Sequence, residues 1–320
     1  MKRTIHVTIC LIIFGCMLGV TIPALAVPYT FTTIDPAGSI LTFADDINNA
    51  GQILGDYRDS SGVFHGYLLD GDVFSTIDAP GAVHTRSGGL NNLGQIVGGY
   101  RDGSGTFHGY LFDGGVFSTF DVPGASHTFQ AGINDAGQTV GYYDVTPDLM
   151  ESRHGYLLDG GIFSTIDVPG SELTISSGIN NFGQIVGAYT DASGVGHGYL
   201  FDWDGSIFDM IDVPDAVDIT AADINDAGQI VGAYTDASGI YHGYLFDGDI
   251  FSTIDVPDAI DTIVTGTNDV GQIVGYYTDA DGVYHGFSAN PVPEPGTLIL
   301  FGIGLLGVLV FRRKTRSKRR

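Results

Sequence analysis

Cysteine is almost absent from this sequence of 320 residues, and its placement excludes a disulfide-stapled fold. The two cysteines, Cys10 and Cys16, both lie in an apolar segment at the start of the chain. The remainder therefore cannot form internal disulfides, and cysteine usage does not identify its compartment.

Positive charge is nearly absent from the middle of the chain. Between residues 27 and 292 there are four arginines, Arg58, Arg86, Arg101 and Arg153, against 36 aspartates and glutamates, which leaves a formal charge of −32. Because nucleic acid needs a basic binding surface, we exclude DNA and RNA as partners. The acidic body favours solubility, is repelled by anionic surfaces and is compatible with cation binding.

Helical periodicity and catalytic motifs are also missing. Between the two ends, no window shows sustained 3.6-residue hydrophobic periodicity, which argues against helices in the body. We find no nucleophile elbow, zinc-protease helix, phosphate-binding loop or sustained carboxylate pair. The sequence therefore predicts no catalytic and no cofactor-binding residue.

Glycine, by contrast, is abundant, with 48 residues placed at fixed offsets in a unit that recurs six times. The clearest copy spans residues 132–170. Its Asn-x-x-Gly-Gln core begins at Asn48, Asn91, Asn134, Asn180, Asn225 and Asn268, with gaps of 43, 43, 46, 45 and 43 residues. Two further positions recur in step: a His-Gly pair at His65, His108, His154, His197, His242 and His285, and an Asp at Asp35, Asp78, Asp121, Asp167, Asp212 and Asp255. Self-similarity at this period is typical of stacked or radially arranged units.

Each unit contains four short extended segments, which in the clearest copy are 127–133, 137–143, 154–159 and 162–168. They are rich in Ile, Val, Tyr, Phe and Thr, as strands are. Asn-Asp-Ala-Gly and Asp-Ala-Ser-Gly predict type I turns, Asp-Gly predicts a tight hairpin, and Pro-Gly closes the unit. Four antiparallel strands in each of six units predict an all-β fold, a six-bladed β-propeller over 27–290, with a stacked β-solenoid as the alternative.

The register of the repeats predicts how the ring closes. The first Thr-Ile-Asp segment, which ends at Asp35, precedes the first Asn core, and the last unit stops at Phe287 without such a segment. We expect the N-terminal strand to complete the sixth blade, which would remove an exposed edge.

The two ends of the chain predict export. Residues 1–26 have a positive start, an apolar core and a small-x-small site at Ala24 and Ala26, as in a secretory signal peptide cut by signal peptidase. At the other end, residues 291–320 contain Pro293, Glu294 and Pro295, then an apolar run over 297–311 and a basic tail. We expect that run to form a transmembrane helix whose basic tail stays cytoplasmic.

This C-terminal segment resembles the PEP-CTERM sorting signal, which combines a Pro-Glu-Pro motif, one hydrophobic helix and an Arg-rich tail. The resemblance implies an exported protein of a Gram-negative bacterium, at the cell surface or in the extracellular matrix. It implies processing by an exosortase near Pro293, Glu294 and Pro295, and an association with exopolysaccharide or biofilm. The body also resembles the HAF-repeat family of extracellular proteins, through segments such as GINNxGQIVGxY, HGYL and TIDVPGA. That second resemblance implies a repeat class and no reaction.

Several residues resemble binding sites by type and are better interpreted as structural. A ring of histidines could bind a metal, but six blades would spread the ligands too far apart. The acidic turns, above all Asp279 to Gly282, raise the question of calcium, yet most copies offer a single carboxylate. Glu151 and Trp203 lie in two loop insertions that we expect on opposite faces of the disc. The sequence therefore predicts no metal site.

The leading functional hypothesis is a non-catalytic interaction or structural module, delivered to the cell surface and linked to exopolysaccharide. The first alternative is an extracellular carbohydrate-active hydrolase or lyase, since propellers often host such enzymes. A group of carboxylates, or a His-Tyr-Arg group, meeting in one funnel would favour that enzyme. The second alternative is a cation-dependent adhesin.

Overall fold

The computed structural model describes residues 29–146, 153–203, 207–248 and 250–292, and within these ranges every regular element is a β-strand. The strands form six antiparallel sheets of four strands, so the predicted six-bladed β-propeller is confirmed. In the described ranges we find no helix that could cross a membrane. The signal peptide, Ala24, Ala26, the Pro293–Pro295 motif and the segment 297–311 lie outside the described residues.

The blades follow the repeats in order, with four strands in each. The first blade consists of β2 (Ser39–Ile47), β3 (Ile53–Asp59), β4 (Phe64–Asp70) and β5 (Val73–Ile77). The second consists of β6 (His84–Leu90), β7 (Ile96–Arg101), β8 (Phe107–Asp113) and β9 (Val116–Phe120). The third consists of β10 (His127–Ile133), β11 (Thr139–Asp144), β12 (Arg153–Asp159) and β13 (Ile162–Ile166). The fourth consists of β14 (Leu173–Ile179), β15 (Gln184–Thr190), β16 (Gly196–Asp202) and β17 (Ile207–Ile211). The fifth consists of β18 (Asp218–Ile224), β19 (Ile230–Thr235), β20 (Tyr241–Phe246) and β21 (Phe251–Ile254). The sixth consists of β22 (Asp261–Thr267), β23 (Ile273–Thr278), β24 (Tyr284–Pro291) and β1 (Tyr29–Ile34).

The N-terminal strand closes the ring as predicted. β1 pairs antiparallel with β24 from Tyr29 opposite Pro291 to Ile34 opposite Gly286. Ile34 is 4% exposed and belongs to an apolar cluster that joins the last blade to the first. The two ends of the described chain are therefore held together by both a strand ladder and a shared core.

A buried tyrosine on the third strand forms a hydrogen bond to the innermost strand in three of the six blades. Tyr67, Tyr156 and Tyr244 are fully buried, and their hydroxyls donate to carbonyl oxygens of the innermost strand, at 3.0–3.2 Å. To reach those oxygens, the rings pass over a glycine of the second strand, such as Gly55 or Gly232. Each of these three blades is therefore held together across three strands by one hydrogen bond.

The disc has two different faces. The Asn face carries the turns that begin at the six core asparagines and the hairpins between third and fourth strands. The His face carries the turns between second and third strands and the links from one blade to the next. Because β1 begins and β24 ends on the Asn face, the described chain starts and stops on that face.

The links between blades contain the predicted Pro-Gly turns, in which glycine takes a positive φ, as at Gly81 with φ 79°. Two links have Asp instead, and Asp215 and Asp258 are the non-glycine residues that adopt positive φ, at 65° each, in the described chain. A side chain in this left-handed conformation crowds the following carbonyl oxygen. These two aspartates therefore store backbone strain that glycine would relieve.

Replacing Asp215 and Asp258 by glycine is expected to stabilise the fold. Relief of the left-handed strain outweighs the larger entropy of glycine in the unfolded chain, and we expect a gain of about 1 kcal/mol at each site. The midpoint of urea unfolding measures it. The reverse substitution, Gly81→Asp, has no neighbour within 4 Å to clash with and should lose a similar amount. A lower unfolding midpoint in Asp215→Gly would contradict this account.

Candidate functional site

The periodic asparagines form a structural ring around the axis. The Asn134 Oδ1 atom accepts backbone hydrogen bonds from Ala136 and Gln138, which stabilises the turn. Its Nδ2 donates to the carbonyl oxygen of Asn180 in the next blade, at 3.1 Å. The same inter-blade bond joins every neighbouring pair, and Asn268 closes the circle on Asn48. The core motif is therefore repeated because it ties each blade to its neighbour.

The periodic histidines and aspartates are partners within each blade. Nδ1 of each histidine lies 2.8–3.1 Å from a carboxylate oxygen of the Asp that follows the fourth strand. In the ring-closing blade the partners are His285 and Asp35, which are 250 positions apart. The histidines stand on the third strand of each blade, away from the axis, so they do not form a metal-binding ring. Each histidine therefore has a structural hydrogen-bond partner within its own blade.

The protonation of these histidines ties the fold to pH. Burial lowers the pKa of His108, His197, His242 and His285, but hydrogen bonds and the charge of two aspartates outweigh burial, so each pKa is raised. The stabilisation that a raised histidine pKa provides is complete below about pH 6.5 and is lost as the pH rises through the raised value.

Buried carboxyls near the axis act in the same direction. Burial raises the pKa of Asp56 and of Asp223 to about 6, against the lowering effect of Arg86 and backbone hydrogen bonds. A carboxyl whose pKa is raised in the folded state favours folding below its unfolded value of about 4, and this is lost as the pH rises through about 6. The fold should therefore be more stable in mild acid than above neutrality.

We expect the melting temperature to fall by at least about 5 °C between about pH 4 and pH 8, because about 1 kcal/mol corresponds to about 2–4 °C in a domain of this size. Below about pH 4 the stability should fall again, since hydrogen bonds from neighbouring Ser61 and Ser104 lower the pKa of Asp59 and Asp102 to about 2, and the stabilisation that a lowered carboxyl pKa provides is lost as the pH falls through that value. Thermal unfolding across this range is the measurement. Asp223→Asn should flatten the decline, and a melting temperature that rises from pH 5 to pH 8 would refute the explanation.

A funnel of about 590 Å³ opens on the His face around the axis. Each innermost strand has a β-bulge, and the extra residue faces the axis, as bulges commonly re-aim side chains. These six residues are Asp45, Gly88, Ala131, Ser177, Ala222 and Thr265, and they line both the funnel and the narrow cavity below it. The bulges therefore form the floor of the funnel, where only Asp45 can carry a charge.

Aromatic rings form one side of the funnel wall. Phe129 stacks on Tyr142 with centroids 4.7 Å apart and lies 4.9 Å from Phe107. At the positions of Phe129 and Tyr142, the fourth blade has Ile175 and Ala188, so the wall is asymmetric. The six repeats thus share a backbone but not a surface at the mouth of the funnel.

All four arginines of the body contact the rings of this wall. Arg86 lies over Phe64 at 4.3 Å, and Arg58 lies over the same ring at 5.6 Å. Arg101 lies over Phe107 at 5.9 Å, and Arg153 lies over Tyr142 at 4.7 Å. Guanidinium groups stacked on rings hold a fixed orientation and gain cation–π attraction.

Two of these arginines are neutralised by buried carboxylates. Arg86 Nε lies 2.6 Å from Oδ2 of Asp56, which is 1% exposed, and Arg153 Nε lies 3.4 Å from Oδ1 of the fully buried Asp144. Arg58 and Arg101 have no carboxylate partner among the described residues, and their Nε atoms donate to backbone carbonyl oxygens of nearby turns. The rim of the funnel is therefore locally positive on an acidic protein.

His84 lies among three of these arginines as a neutral donor. Its Nδ1 accepts a hydrogen bond from the backbone N–H of Phe64 at 3.2 Å, so the ring proton resides on Nε2. Burial lowers the pKa of His84, and the charges of Arg101, Arg58 and Arg86 lower it further. His84 thus supplies a polar N–H to the funnel without adding charge.

The floor carboxyl of Asp45 is unusual. Its Oδ2 atom is buried and has no hydrogen-bond partner among the described residues. Burial raises its pKa, and the charges of Asp56 and Asp46 raise it further while Arg86 lowers it. The group therefore favours the protonated state, in which it can donate a hydrogen bond.

The other sequence candidates do not join this site. Trp203 sits in a hairpin on the Asn face, 41% exposed and edge-on to Phe201, and Glu151 lies outside the described residues. The Asp279 carboxylate is occupied by backbone N–H groups of its turn and by His285. No set of three or more His, Cys, Asp or Glu in the described ranges is arranged to hold a metal ion.

The funnel itself was missed by sequence reasoning, although its signal was present. Four arginines in an acidic body are conspicuous, and aligning the repeats places Arg58 and Arg101 where three other blades have Thr190, Thr235 and Thr278. No local sequence pattern indicates that the bulges of the innermost strands bring residues of these blades together at one cavity.

The fold and the funnel define a six-bladed β-propeller with an asymmetric cavity on the His face of its axis. It is similar to a mutant of the Aleuria aurantia lectin in complex with Fucα1-6GlcNAc, with a TM-score of 0.53 and 13% identity over 81% of this chain and 100% of that chain. It is also similar to AofleA from Arthrobotrys oligospora, with a TM-score of 0.54 and 17% identity over 83% and 91%. TolB from Acinetobacter baumannii is similar with a TM-score of 0.50 and 12% sequence identity, over 80% of this chain and 65% of the TolB chain. At these identities the likeness shows the fold alone.

A separate match, to a sorting motif, indicates where the protein is located. Residues 291–314 match the PEP-CTERM protein-sorting motif, which confirms that part of the sequence prediction. The motif marks an exported protein of the cell surface, anchored at the membrane and then processed. No curated protein matches the chain. The six repeats are confirmed as blades, while the resemblance to the HAF-repeat family stays a prediction.

Proposed function

We propose that this protein is a non-catalytic carbohydrate-binding module of the cell surface, with the funnel as its binding site. The observation that carries the proposal is the asymmetric wall, where Phe64, Phe107, Phe129 and Tyr142 stand beside guanidinium groups at one cavity. Rings of this kind pack against the apolar faces of sugars, and fixed polar groups beside them orient a ligand. Similar folds that bind sugar, such as the Aleuria aurantia lectin, add support by analogy.

The arrangement of the termini suits display at a surface. The described chain stops at Val292 on the Asn face, where the sorting motif begins, and the funnel opens on the His face. A protein held by its C-terminal segment would present the funnel away from the membrane. Signal peptidase and an exosortase would process the two ends, and extracellular polysaccharide would be the ligand.

A glycan-array screen of the full-length protein tests this proposal. We expect binding to a subset of glycans that Phe107→Ala reduces by at least about tenfold, because stacking on an aromatic ring and the area it buries are lost. Tyr241→Ala is the matched control, since Tyr241 holds the same repeat position in the fifth blade and does not line the funnel. Binding to no glycan, or equal loss in both variants, would count against the funnel as a sugar site.

A lyase acting on acidic polysaccharide is the second candidate, because His84, Tyr142, Arg86 and Arg101 do meet in one funnel. The protonation states oppose it. His84 keeps its proton on Nε2, and burial raises the pKa of the Tyr142 hydroxyl, so neither group is prepared to remove a proton. Formation of an unsaturated sugar product during prolonged incubation with a bound polysaccharide would favour the enzyme.

A cation-dependent adhesin stays the third hypothesis. Calorimetric titration with calcium, together with a melting curve in its presence, tests it directly. Binding heat with a raised melting temperature would support it, and the absence of both would remove it.

A further inference from the structure

We infer that the ligand of the funnel is an acidic saccharide whose carboxylate groups bind to Arg58 and Arg101. The inference rests on the proposed function and narrows it from carbohydrate in general to sugars that carry negative charge.

Positive charge is concentrated in one part of the acidic body. The body has four arginines and 36 acids, yet all four arginines lie in the first three blades and contact rings of one cavity. Arg58 and Arg86 approach the same Phe64 ring, and Asp56 already balances the charge of Arg86, so Arg58 carries the unbalanced positive charge at this ring. An anion that binds beside Phe64 is attracted by that charge.

The guanidinium groups of Arg58 and Arg101 are available to a ligand. Arg58 and Arg101 use Nε to bind the carbonyl oxygens of Gly62 and Gly105, at 3.2 and 3.4 Å. Within the described part of the chain, neither arginine forms a salt bridge, so their terminal nitrogens stay available to a ligand. A stacked and tethered guanidinium is already ordered, which lowers the entropic cost of binding a planar carboxylate through two parallel hydrogen bonds.

The position of Arg58 and Arg101 differs between the two halves of the ring. The position of Arg58 and Arg101 holds Thr in the fourth, fifth and sixth blades, so the blade folds without arginine there. Each arginine is therefore dispensable for the architecture. Arg101 lines the funnel, and Arg58 lies over the ring of Phe64, which also lines it. A feature that folding does not need, confined to one side of one cavity, points to a ligand.

The test compares one sugar backbone with and without its charge. Full-length protein is titrated with oligogalacturonate and with its methyl ester, which keeps the sugar and removes the negative charge. We expect the acid to bind at least about tenfold more tightly than the ester, with affinity that falls as salt screens the charges. The double substitution Arg58→Thr and Arg101→Thr should abolish that preference while the unfolding midpoint stays unchanged, since Thr is native to this position elsewhere.

The controls separate local from overall charge. Adding Asp215→Gly and Asp258→Gly to the double variant restores the original net charge, and oligogalacturonate binding should stay lost. Arg101→Lys keeps the charge but not the planar fork, so it should recover only part of the affinity.

The outcomes distinguish this inference from the proposed function. If every glycan bound on the array is neutral, or if acid and ester bind equally, the inference fails and carbohydrate binding stands. If dextran sulfate binds more tightly than oligogalacturonate, the carboxylate assignment is wrong. If no glycan of any kind binds, the proposed function itself is wrong.

Discussion

Gly98→Ala is expected to destabilise the propeller by about 3 kcal/mol or more, because a Cβ at this position has no space to occupy. It would overlap the carbonyl oxygen of Arg86 on the innermost strand and would lie 2.8 Å from the Tyr110 hydroxyl. Tyr110 is fully buried, and the carbonyl oxygen of Arg86 belongs to the adjacent strand of the second blade, so relief requires the strands to separate. Urea unfolding, followed by tyrosine fluorescence, measures the loss.

The adjacent residue provides the control for that experiment. A Cβ at Gly99 would lie 3.6 Å from the nearest backbone oxygen, in ordinary contact, and Ala188 and Ala233 hold the same position in two other blades. Gly99→Ala should therefore change the free energy of unfolding by less than about 0.5 kcal/mol or raise it slightly. Equal losses of unfolding free energy in the two variants would show that glycine is not required here by the Tyr110 ring that passes over Gly98.

Ile34→Asp is expected to open the ring and to lower stability by about 3–5 kcal/mol, since it buries an unpaired charge in the cluster between the last and first blades. Once β1 leaves, β24 becomes an unpaired edge, and exposed edges promote association between chains. We expect both a lower melting temperature and soluble oligomers in size-exclusion chromatography.

Thr32→Asp on the same strand is the matched variant, because Thr32 is exposed and pairs with Ser288 in the ladder. It should behave like the parent protein to within about 0.5 kcal/mol. A monomeric Ile34→Asp protein with the parent melting temperature would show that the ring does not depend on its closing strand.

Local signals explain why so much of the architecture could be predicted. The segment 127–133 coincides with β10, and the turns after Asn134 and Asp191 have the hydrogen bonds expected of type I turns. Such turns depend on a few consecutive residues, so the chain carries their signal in any context. The closing strand was also predictable, because the repeat register left one segment over at each end.

The binding face required information of another kind. His84, Arg101 and Phe129 are separated by several turns in the chain, and neither strand period nor turn chemistry relates one to another. They meet because bulges in the innermost strands re-aim the chain toward the axis and because neighbouring blades converge there. The repeat pattern even hides the site, since it draws attention to what the copies share.

The sequence by itself determined the number of blades, the turns, the ring closure and the sorting motif, because each depends on short patterns repeated at a regular spacing. Only the tertiary structure decided that the periodic histidines are hydrogen-bonded to aspartates away from the axis, and that the four arginines contact the aromatic rings of one cavity. Those facts depend on distances between residues far apart in the chain, which closure of the ring sets. A repeat encodes what its copies have in common, whereas the funnel is made from the residues in which they differ.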